Sequence, residues 1–168
     1  MLLANQCAAH FARTKQIPFV YRVHEEPGSE KLERLHALLK ACGINDHFAK
    51  EVPQPKELSA ILEGVRGTPY EKIIHTGLLR CMSKAEYQPA PKGHYGLVLK
   101  DYAHFTSPIR RYPDLAIHRI LTALLGGMDK ETILARYTDF AEKVSKQSSA
   151  QEVVAMQIER KAEDCYKA

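Results

Sequence analysis

Two adjacent arginines, Arg110 and Arg111, follow the hydroxyl pair Thr106 and Ser107 in one short polar segment. A guanidinium group donates paired hydrogen bonds to phosphate oxygens, and serine or threonine can add hydroxyl or backbone donors. Ser107-Pro108 predicts a helix start, because serine is a common N-cap and proline is favoured at the first helical position. The free N–H groups of a helix start attract anions. The segment therefore predicts a phosphate-binding site.

Aromatic and basic side chains concentrate around this segment. Five of the 13 aromatic residues fall between positions 87 and 112, next to five basic residues: Tyr87, Tyr95, Tyr102, Phe105 and Tyr112, with Lys84, Lys92, Lys100, Arg110 and Arg111. This mixture is typical of surfaces that stack single-stranded bases and neutralise the nucleic-acid backbone. Alternatively, the tyrosines pack a core and the arginines lie on a solvated helix end. The pattern alone favours this structural interpretation.

The whole chain has the composition of one ordinary folded domain. Its 168 residues are 45% hydrophobic and 26% charged, which excludes a disordered or low-complexity chain. No apolar run approaches the ~18 residues of a membrane span, and the first residues do not form a signal peptide. The net charge of +4 is only a weak indication of a polyanionic partner. We expect no membrane association.

The four cysteines are far apart in the sequence: Cys7, Cys42, Cys81 and Cys165. This spacing predicts reduced, mostly buried thiols in a cytoplasmic protein and does not predict a disulfide framework. Cys7 and His10 have the spacing of zinc ligands, but no second close pair accompanies them, so we expect no structural zinc.

Hydrophobic spacing predicts a predominantly helical α+β fold. Two segments have the pattern of strands, Pro18–Val23 and Tyr95–Leu99, and we expect them in one sheet. The predicted helices share apolar residues at helical spacing: Leu2 to about Thr14, Leu32 to Cys42, around Leu58–Leu62, from Thr68, and from Ser107 onwards with a break at Gly126-Gly127. Capping boxes at Thr68–Glu71 and Ser149–Glu152 predict two helix starts, and residues 83–93 are predicted to be loop.

The segment T-S-P-I-R-R-Y-P-D-L at residues 106–115, followed by His118 and Arg119, resembles the signature of the RNB family, the hydrolytic 3′-to-5′ exoribonucleases. Other family motifs are matched in order along the chain: M-L-x-A-N at residues 1–5, Y-R-x-H at 21–24, H-Y-G-L at 94–97 and E-R at 159–160. Because these matches extend from Met1 to Arg160, the chain is identified as a member of this family.

The resemblance implies how the site residues act. In the family, the 3′ end of single-stranded RNA lies in a narrow channel, and magnesium activates water to release nucleoside 5′-monophosphates. Arg110 matches the family's catalytic arginine, which binds the scissile phosphate and stabilises the charge of the transition state. The implied RNA-binding residues are Tyr95, His104, Thr106, Ser107, Arg111 and Glu159.

For three of these residues, alternatives remain open. Arg111 points away from the helical direction of Arg110 and is expected to pair with a carboxylate such as Asp114. Glu159 could equally form an ordinary salt bridge. His104 is expected to pack or to form hydrogen bonds, like the other histidines near the motifs, because metal-bound water needs no histidine base.

The family's closely spaced aspartates, which hold magnesium, have no counterpart here. Nor do its aromatic clamp or its cold-shock and S1 modules. Residues 1–168 therefore resemble the C-terminal portion of an RNB catalytic domain. We expect the Mg²⁺ ligands in the missing N-terminal part, no metal site in this chain, and no nuclease activity from the chain alone.

Two alternatives to a part of an exoribonuclease remain. One is a non-catalytic protein that binds single-stranded RNA or acts as a scaffold, and the other is a helical interaction domain without a nucleic-acid role. The clustered aromatic and basic residues argue against the second. We expect the intact enzyme to be monomeric and the truncated chain to self-associate through its first helix and open sheet edges.

Overall fold

The structure is a computed structural model that describes residues 1–45, 48 and 51–167. The elements in chain order are α1 (Leu2–Lys15), β1 (Tyr21–His24), α2 (Ser29–Ala41), α3 (Pro55–Gly64), α4 (Glu71–Cys81), β2 (Ala85–Gln88), a 3₁₀ turn (Tyr95–Leu97), α5 (Tyr112–Leu125) and α6 (Lys130–Lys167). Strands β1 and β2 pair in a two-stranded sheet. The predominantly helical α+β class is confirmed.

The chain divides into two compact units. The first comprises Met1–Val23, Ala85–His94 and Leu99–Ala168, and the second comprises His24–Lys84 and Tyr95–Val98. The candidate phosphate-binding segment belongs to the first unit.

In the first unit, α6 packs against both α5 and β2. Fully buried side chains fill the space around them: Phe19 and Val20 before β1, Ile117 and Ile120 on α5, and Ile133 on α6. Burial of each such side chain contributes roughly 1.5–3 kcal/mol. This core supports the start of α5 and the segment that precedes it.

In the second unit, α4 packs against α2 and α3. Leu39, Ile74 and Leu78 form the centre of a separate hydrophobic cluster. A methyl group added at Gly77 would lie 2.2 Å from Leu38 Cδ2, so the glycine allows Leu38 to fill this space. The predicted helix with Gly43 beyond its end is confirmed as α2, and Gly43 has a φ of 68°.

The prediction of a strand at Tyr95–Leu99 is wrong, because the chain turns back on itself there. Gly93 and Val98 both have positive φ angles, and His94 and Leu99 form an isolated antiparallel bridge around the 3₁₀ turn. The second strand is instead Ala85–Gln88, in the stretch predicted to be loop. The strand predicted at Pro18–Val23 is present but lies at Tyr21–His24.

Neither predicted capping box begins a helix as expected. Helix α6 continues without interruption through Ser149, whose hydroxyl instead accepts a hydrogen bond from Tyr87 N at 2.9 Å. Helix α4 begins at Glu71, and the Glu71 carboxylate accepts a hydrogen bond from Gly67 N. The Thr68 hydroxyl donates to the Val65 carbonyl. The polar residues of both predicted capping boxes therefore form other contacts.

In the part of the chain that the structure describes, no helix combines the length and apolar character that crossing a membrane requires. All four cysteines are unpaired thiols. The expectation that they are mostly buried is wrong, because Cys7 and Cys165 are exposed and only Cys81 is fully buried.

Candidate functional site

The candidate site is the segment 102–111, here called the arginine loop, which leads into α5. The predicted helix start at Ser107-Pro108 is wrong: residues 108–110 form a turn, and α5 begins at Tyr112 with Arg111 as its N-cap. The backbone N–H groups of Arg110 and Arg111 donate to the Ser107 carbonyl at 3.3 and 3.1 Å. These N–H groups are therefore not a free helix terminus for an anion.

Asp114 explains the shape of the end of this loop. Its carboxylate is 0% exposed and accepts a hydrogen bond from Ser107 N at 2.8 Å. It also accepts from Arg111 Nε at 3.0 Å and from Arg111 Nη2 at 2.8 Å. The expected pairing of Arg111 with Asp114 is present. This pairing neutralises a buried charge, a structural role.

Arg110 differs from its neighbour. It is exposed, and among the described residues its guanidinium has no ion-pair partner. Thr106, four positions earlier, has a buried Oγ1 without a hydrogen-bond partner in the described part of the chain. In the described part of the chain, the loop thus combines Arg111, which is paired with Asp114, with the Arg110 guanidinium and the Thr106 hydroxyl, neither of which has a polar partner there.

The middle of the arginine loop is held at the peptide groups of Phe105. Asn5, on α1, accepts a hydrogen bond from Phe105 N through Oδ1 at 3.0 Å, and donates from Nδ2 to the Tyr102 hydroxyl at 3.2 Å. His118, on α5, donates from Nε2 to the Phe105 carbonyl at 2.9 Å. The His118 and Phe105 rings are stacked with centroids 4.5 Å apart. Asn5 was not among the residues predicted from the sequence to be functional, although its position in the M-L-x-A-N motif was an available signal.

His104 lies in a network of partly buried polar groups at the start of the loop. Its Nδ1 is hydrogen-bonded to the Tyr87 hydroxyl at 2.9 Å. Burial lowers the pKa of His104 to about 4, and the nearby cations Arg111 and Arg22 add to this effect. The imidazole is therefore neutral at pH 7.

The same network extends to α6. The guanidinium of Arg22 lies 4.6 Å from the centre of the Tyr87 ring and donates two hydrogen bonds to Glu152, at 2.7 and 2.9 Å. Burial is the main cause that raises the pKa of Tyr87. Ser149 also accepts a hydrogen bond from Tyr87 N and donates to Tyr87 O, so α6 is joined to β2 at Tyr87 and to β1 through Arg22 and Glu152.

A second buried carboxylate, Asp101, lies just before the loop and is 5% exposed. His10 Nδ1 lies 3.0 Å from Asp101 Oδ2, and Arg13 Nε lies 2.7 Å from Asp101 Oδ1. Burial, followed by the charge of Asp101, raises the pKa of Tyr21 to about 12. Asp101 is thus engaged by basic side chains of α1.

Two of the predicted RNA-binding residues lie apart from the loop in the sequence. Tyr95 belongs to the second unit, where its hydroxyl donates to the Pro53 carbonyl and burial raises its pKa to about 12. Glu159 is exposed on α6. The structure brings together His104, Thr106 and Ser107 with both arginines in one loop.

The described residues do not fit a magnesium site. Among them, no three histidine, cysteine, aspartate or glutamate side chains converge in a way that could hold a metal ion. The two buried aspartates, Asp101 and Asp114, are each neutralised by arginine. Magnesium is bound by free carboxylates together with water and phosphate oxygens.

Comparison with known proteins defines the class of the protein. The RNB domain family matches residues 1–127, which is most of the chain. The chain belongs to the RNB family.

Within that family, the chain is similar to ribonuclease R. It is 36% identical to ribonuclease R 1 of Lactococcus lactis over 168 residues, a match that covers 100% of this chain and 21% of the relative. The chain therefore spans about a fifth of the length of this relative.

Solved structures give the same assignment. The structure of Mycoplasma genitalium RNase R in complex with ribose-methylated single-stranded RNA matches with a TM-score of 0.87 and 30% identity. That match covers 98% of this chain and 26% of the other. Yeast Ssd1, described as a pseudonuclease, matches with a TM-score of 0.63 and 26% identity over 89% of this chain and 20% of the other.

Proposed function

We propose that this chain is part of a processive, magnesium-dependent exoribonuclease. The enzyme would take the 3′ end of single-stranded RNA and release nucleoside 5′-monophosphates by hydrolysis. Membership of the RNB family and the likeness to an RNase R bound to single-stranded RNA support this proposal. The observation that carries it is the exposed guanidinium of Arg110, which has no ion-pair partner among the described residues, beside Arg111, which is paired with Asp114.

In this proposal Arg110 binds the scissile phosphate. A planar guanidinium can donate two parallel hydrogen bonds to phosphate oxygens and can stabilise the negative charge that develops on them. Arg111 cannot do this without leaving a buried carboxylate unpaired, because its Nε and Nη2 groups donate to Asp114. The two arginines thus have different roles: Arg111 builds the loop and Arg110 binds the ligand.

The other predicted RNA contacts follow from the position of each residue. Thr106 has a buried hydroxyl that no described group satisfies, and a phosphate or ribose oxygen could accept its hydrogen bond once the loop exposes it. The neutral imidazole of His104 can form hydrogen bonds to RNA without adding positive charge. Ser107 would contribute its hydroxyl only, because Asp114 occupies its N–H. Tyr95 and Glu159 remain proposed contacts outside the loop.

We place the magnesium ligands outside this chain, since the described residues offer no free carboxylate cluster. The residues of this chain would then only bind and orient the RNA. Arg110 would hold the phosphate, and the arginine loop would fix the direction of the Arg110 side chain. The 168-residue chain alone is accordingly expected to release no nucleotides from RNA with magnesium, and release by the purified chain would contradict this.

A second candidate is a non-catalytic RNA-binding protein, and the likeness to yeast Ssd1, a pseudonuclease, favours it. Such a protein would bind single-stranded RNA with a strong salt dependence and would never cleave it. The two candidates differ in the need for Arg110, because phosphate binding without chemistry can use any of several cations.

A chimaera of Lactococcus lactis ribonuclease R 1, in which this chain replaces the matching stretch, tests the first candidate. We expect Arg110→Ala to lower turnover by about 10²-fold or more while RNA affinity falls little. Arg80→Ala is the control, because it removes an exposed arginine from α4, outside the matched motifs, and should leave turnover within about twofold. Unchanged turnover in the Arg110 variant would exclude the proposed role.

A further inference from the structure

We infer that Asn5 is a positioning residue for the phosphate site, and that it acts through the backbone of the arginine loop. This inference rests on the proposed function of Arg110. Asn5 lies 105 positions from Arg110 in the sequence, and its contacts are with Tyr102 and Phe105.

The contacts of Asn5 use both ends of its side-chain amide. The side chain is on α1 and is 5% exposed. Its oxygen accepts from Phe105 N at 3.0 Å, and its nitrogen donates to the Tyr102 hydroxyl at 3.2 Å. A buried amide with both ends engaged fixes the groups it binds, because losing either bond leaves a desolvated polar atom.

Phe105 is held from two helices. While Asn5 on α1 takes its N–H, His118 on α5 donates to its carbonyl at 2.9 Å and stacks on its ring. Two residues later, the N–H of Ser107 is taken by Asp114. Only Thr106 lies between these two anchored positions, so the backbone on both sides of Thr106 is fixed.

The anchored backbone continues directly to Arg110. The Arg110 N–H donates to the Ser107 carbonyl at 3.3 Å, which closes the turn that carries the guanidinium. A shift of Phe105 therefore displaces Ser107 and the turn together. Since a misplacement of about 1 Å far from the reacting atoms can cost on the order of 10²-fold in rate, this coupling is large enough to measure.

Two substitutions distinguish the effect of the Asn5 hydrogen bonds from the effect of the side-chain volume alone. Asn5→Leu keeps the approximate volume but removes the acceptor for Phe105 N–H and the donor to Tyr102. Asn5→Asp keeps an acceptor for Phe105 N–H and can also accept from the Tyr102 hydroxyl, which can donate. A positioning role predicts that the aspartate variant recovers much of what the leucine variant loses.

The variants are made in the ribonuclease R chimaera, and the measurement is the steady-state rate of cleavage of a single-stranded RNA oligonucleotide over a range of concentrations. We expect Asn5→Leu to lower kcat by about 10- to 100-fold, with KM changed by less than about threefold. The kcat of Asn5→Asp should be at least about tenfold higher than that of Asn5→Leu. In the 168-residue chain, amide exchange at Phe105 should become faster in the leucine variant and stay slow in the aspartate variant.

Val144→Ala is the stability control, because it removes buried volume from α6 and leaves the hydrogen bonds of Asn5 and Phe105 in place. An equal loss of kcat in this control, or a kcat within about threefold of the parent in Asn5→Leu, overturns the inference. Arg110→Ala in the same chimaera tests the proposed function separately. If Arg110→Ala leaves kcat unchanged, the proposed function fails; if only Arg110→Ala slows cleavage, the positioning role of Asn5 fails alone.

Discussion

The carboxylate of Asp114 receives the side chain of Arg111, three positions earlier, through hydrogen bonds from Nε at 3.0 Å and Nη2 at 2.8 Å. It also receives Ser107 N at 2.8 Å, so one fully buried carboxylate holds both a neighbouring arginine and the loop backbone. Arg110, adjacent in sequence, takes no part in this arrangement. Adjacent residues of the same type thus differ in that Arg111 has a structural role, whereas Arg110 is the residue proposed to bind the ligand.

Replacing Asp114 by alanine should strongly destabilise the chain. The change leaves the partly buried Arg111 charge and the Ser107 N–H without their partner, and losses of this kind cost about 2–4 kcal/mol. The measurement is the free energy of unfolding in urea. Asp139→Ala, which removes an exposed carboxylate from α6, is the control and should change it by less than about 0.5 kcal/mol. Similar values for the two variants would contradict the described role of Asp114.

His104 should make the stability of the chain depend on pH. Its pKa is lowered in the folded state from 6.5 to about 4, so the unfolded chain binds more protons between these values. Stability contributed by the neutral imidazole is therefore fully present above about pH 6.5 and is lost as the pH falls towards 4. Allowing for solvent screening of this partly buried group, we expect a loss of about 1–2 kcal/mol.

The measurement compares the parent chain with His104→Gln in urea at several pH values, so that groups common to both cancel. As the pH falls from 6.5 to 4, the free energy of unfolding of the parent should decrease relative to that of His104→Gln. A constant difference across this range would show that His104 titrates with an ordinary pKa.

Ser149→Ala should weaken the attachment of α6 to β2. The serine hydroxyl accepts from Tyr87 N and donates to Tyr87 O, and its loss leaves the strand N–H without a partner. We expect a loss of about 1–2 kcal/mol in the free energy of unfolding. Ser148→Ala is a close control, because it makes the same change in helix propensity one position earlier. If Ser148→Ala destabilises the chain equally, the contact with Tyr87 contributes nothing specific.

The 168-residue chain should self-associate at high concentration through the apolar residues that α1 exposes. Leu2 and Leu3 are more than half exposed there. Leu3→Glu replaces one of them by an acid in the first turn, which is also favourable for the helix dipole. Sedimentation velocity over a concentration series should show less association in Leu3→Glu than in the parent chain. Leu125→Glu, at the end of α5, is the control for an exposed leucine elsewhere, and an equal effect of both variants would contradict a role of α1.

The sequence predicted those elements whose signals are local. Helix α2 has apolar residues at regular spacing and Gly43 beyond its end, and Gly126-Gly127 lies between α5 and α6 as expected. Strand β2 could not be predicted in this way, because Ala85–Gln88 has no apolar alternation and its partner strand lies about 60 residues earlier. The apolar run at residues 95–99 suggested a strand, whereas Val98 has a φ of 56° and turns the chain.

The candidate site shows the same limit. Local sequence was enough to predict Arg110 and Thr106 as site residues and to predict the pairing of Arg111 with Asp114. The helix start predicted from the capping box at Ser149 was wrong, because the Ser149 hydroxyl accepts a hydrogen bond from Tyr87 N, 62 positions away. The contact of Asn5 with Phe105 joins residues 100 positions apart, and no periodicity encodes such a distance.

Helix α6 has 38 residues, which at 1.5 Å per residue makes it about 57 Å long. Its bonds to Tyr87 and Arg22 lie near its middle, and its outer turns are mostly exposed. Because Tyr87 is also hydrogen-bonded to His104, the middle of α6 is connected through one tyrosine to the start of the arginine loop.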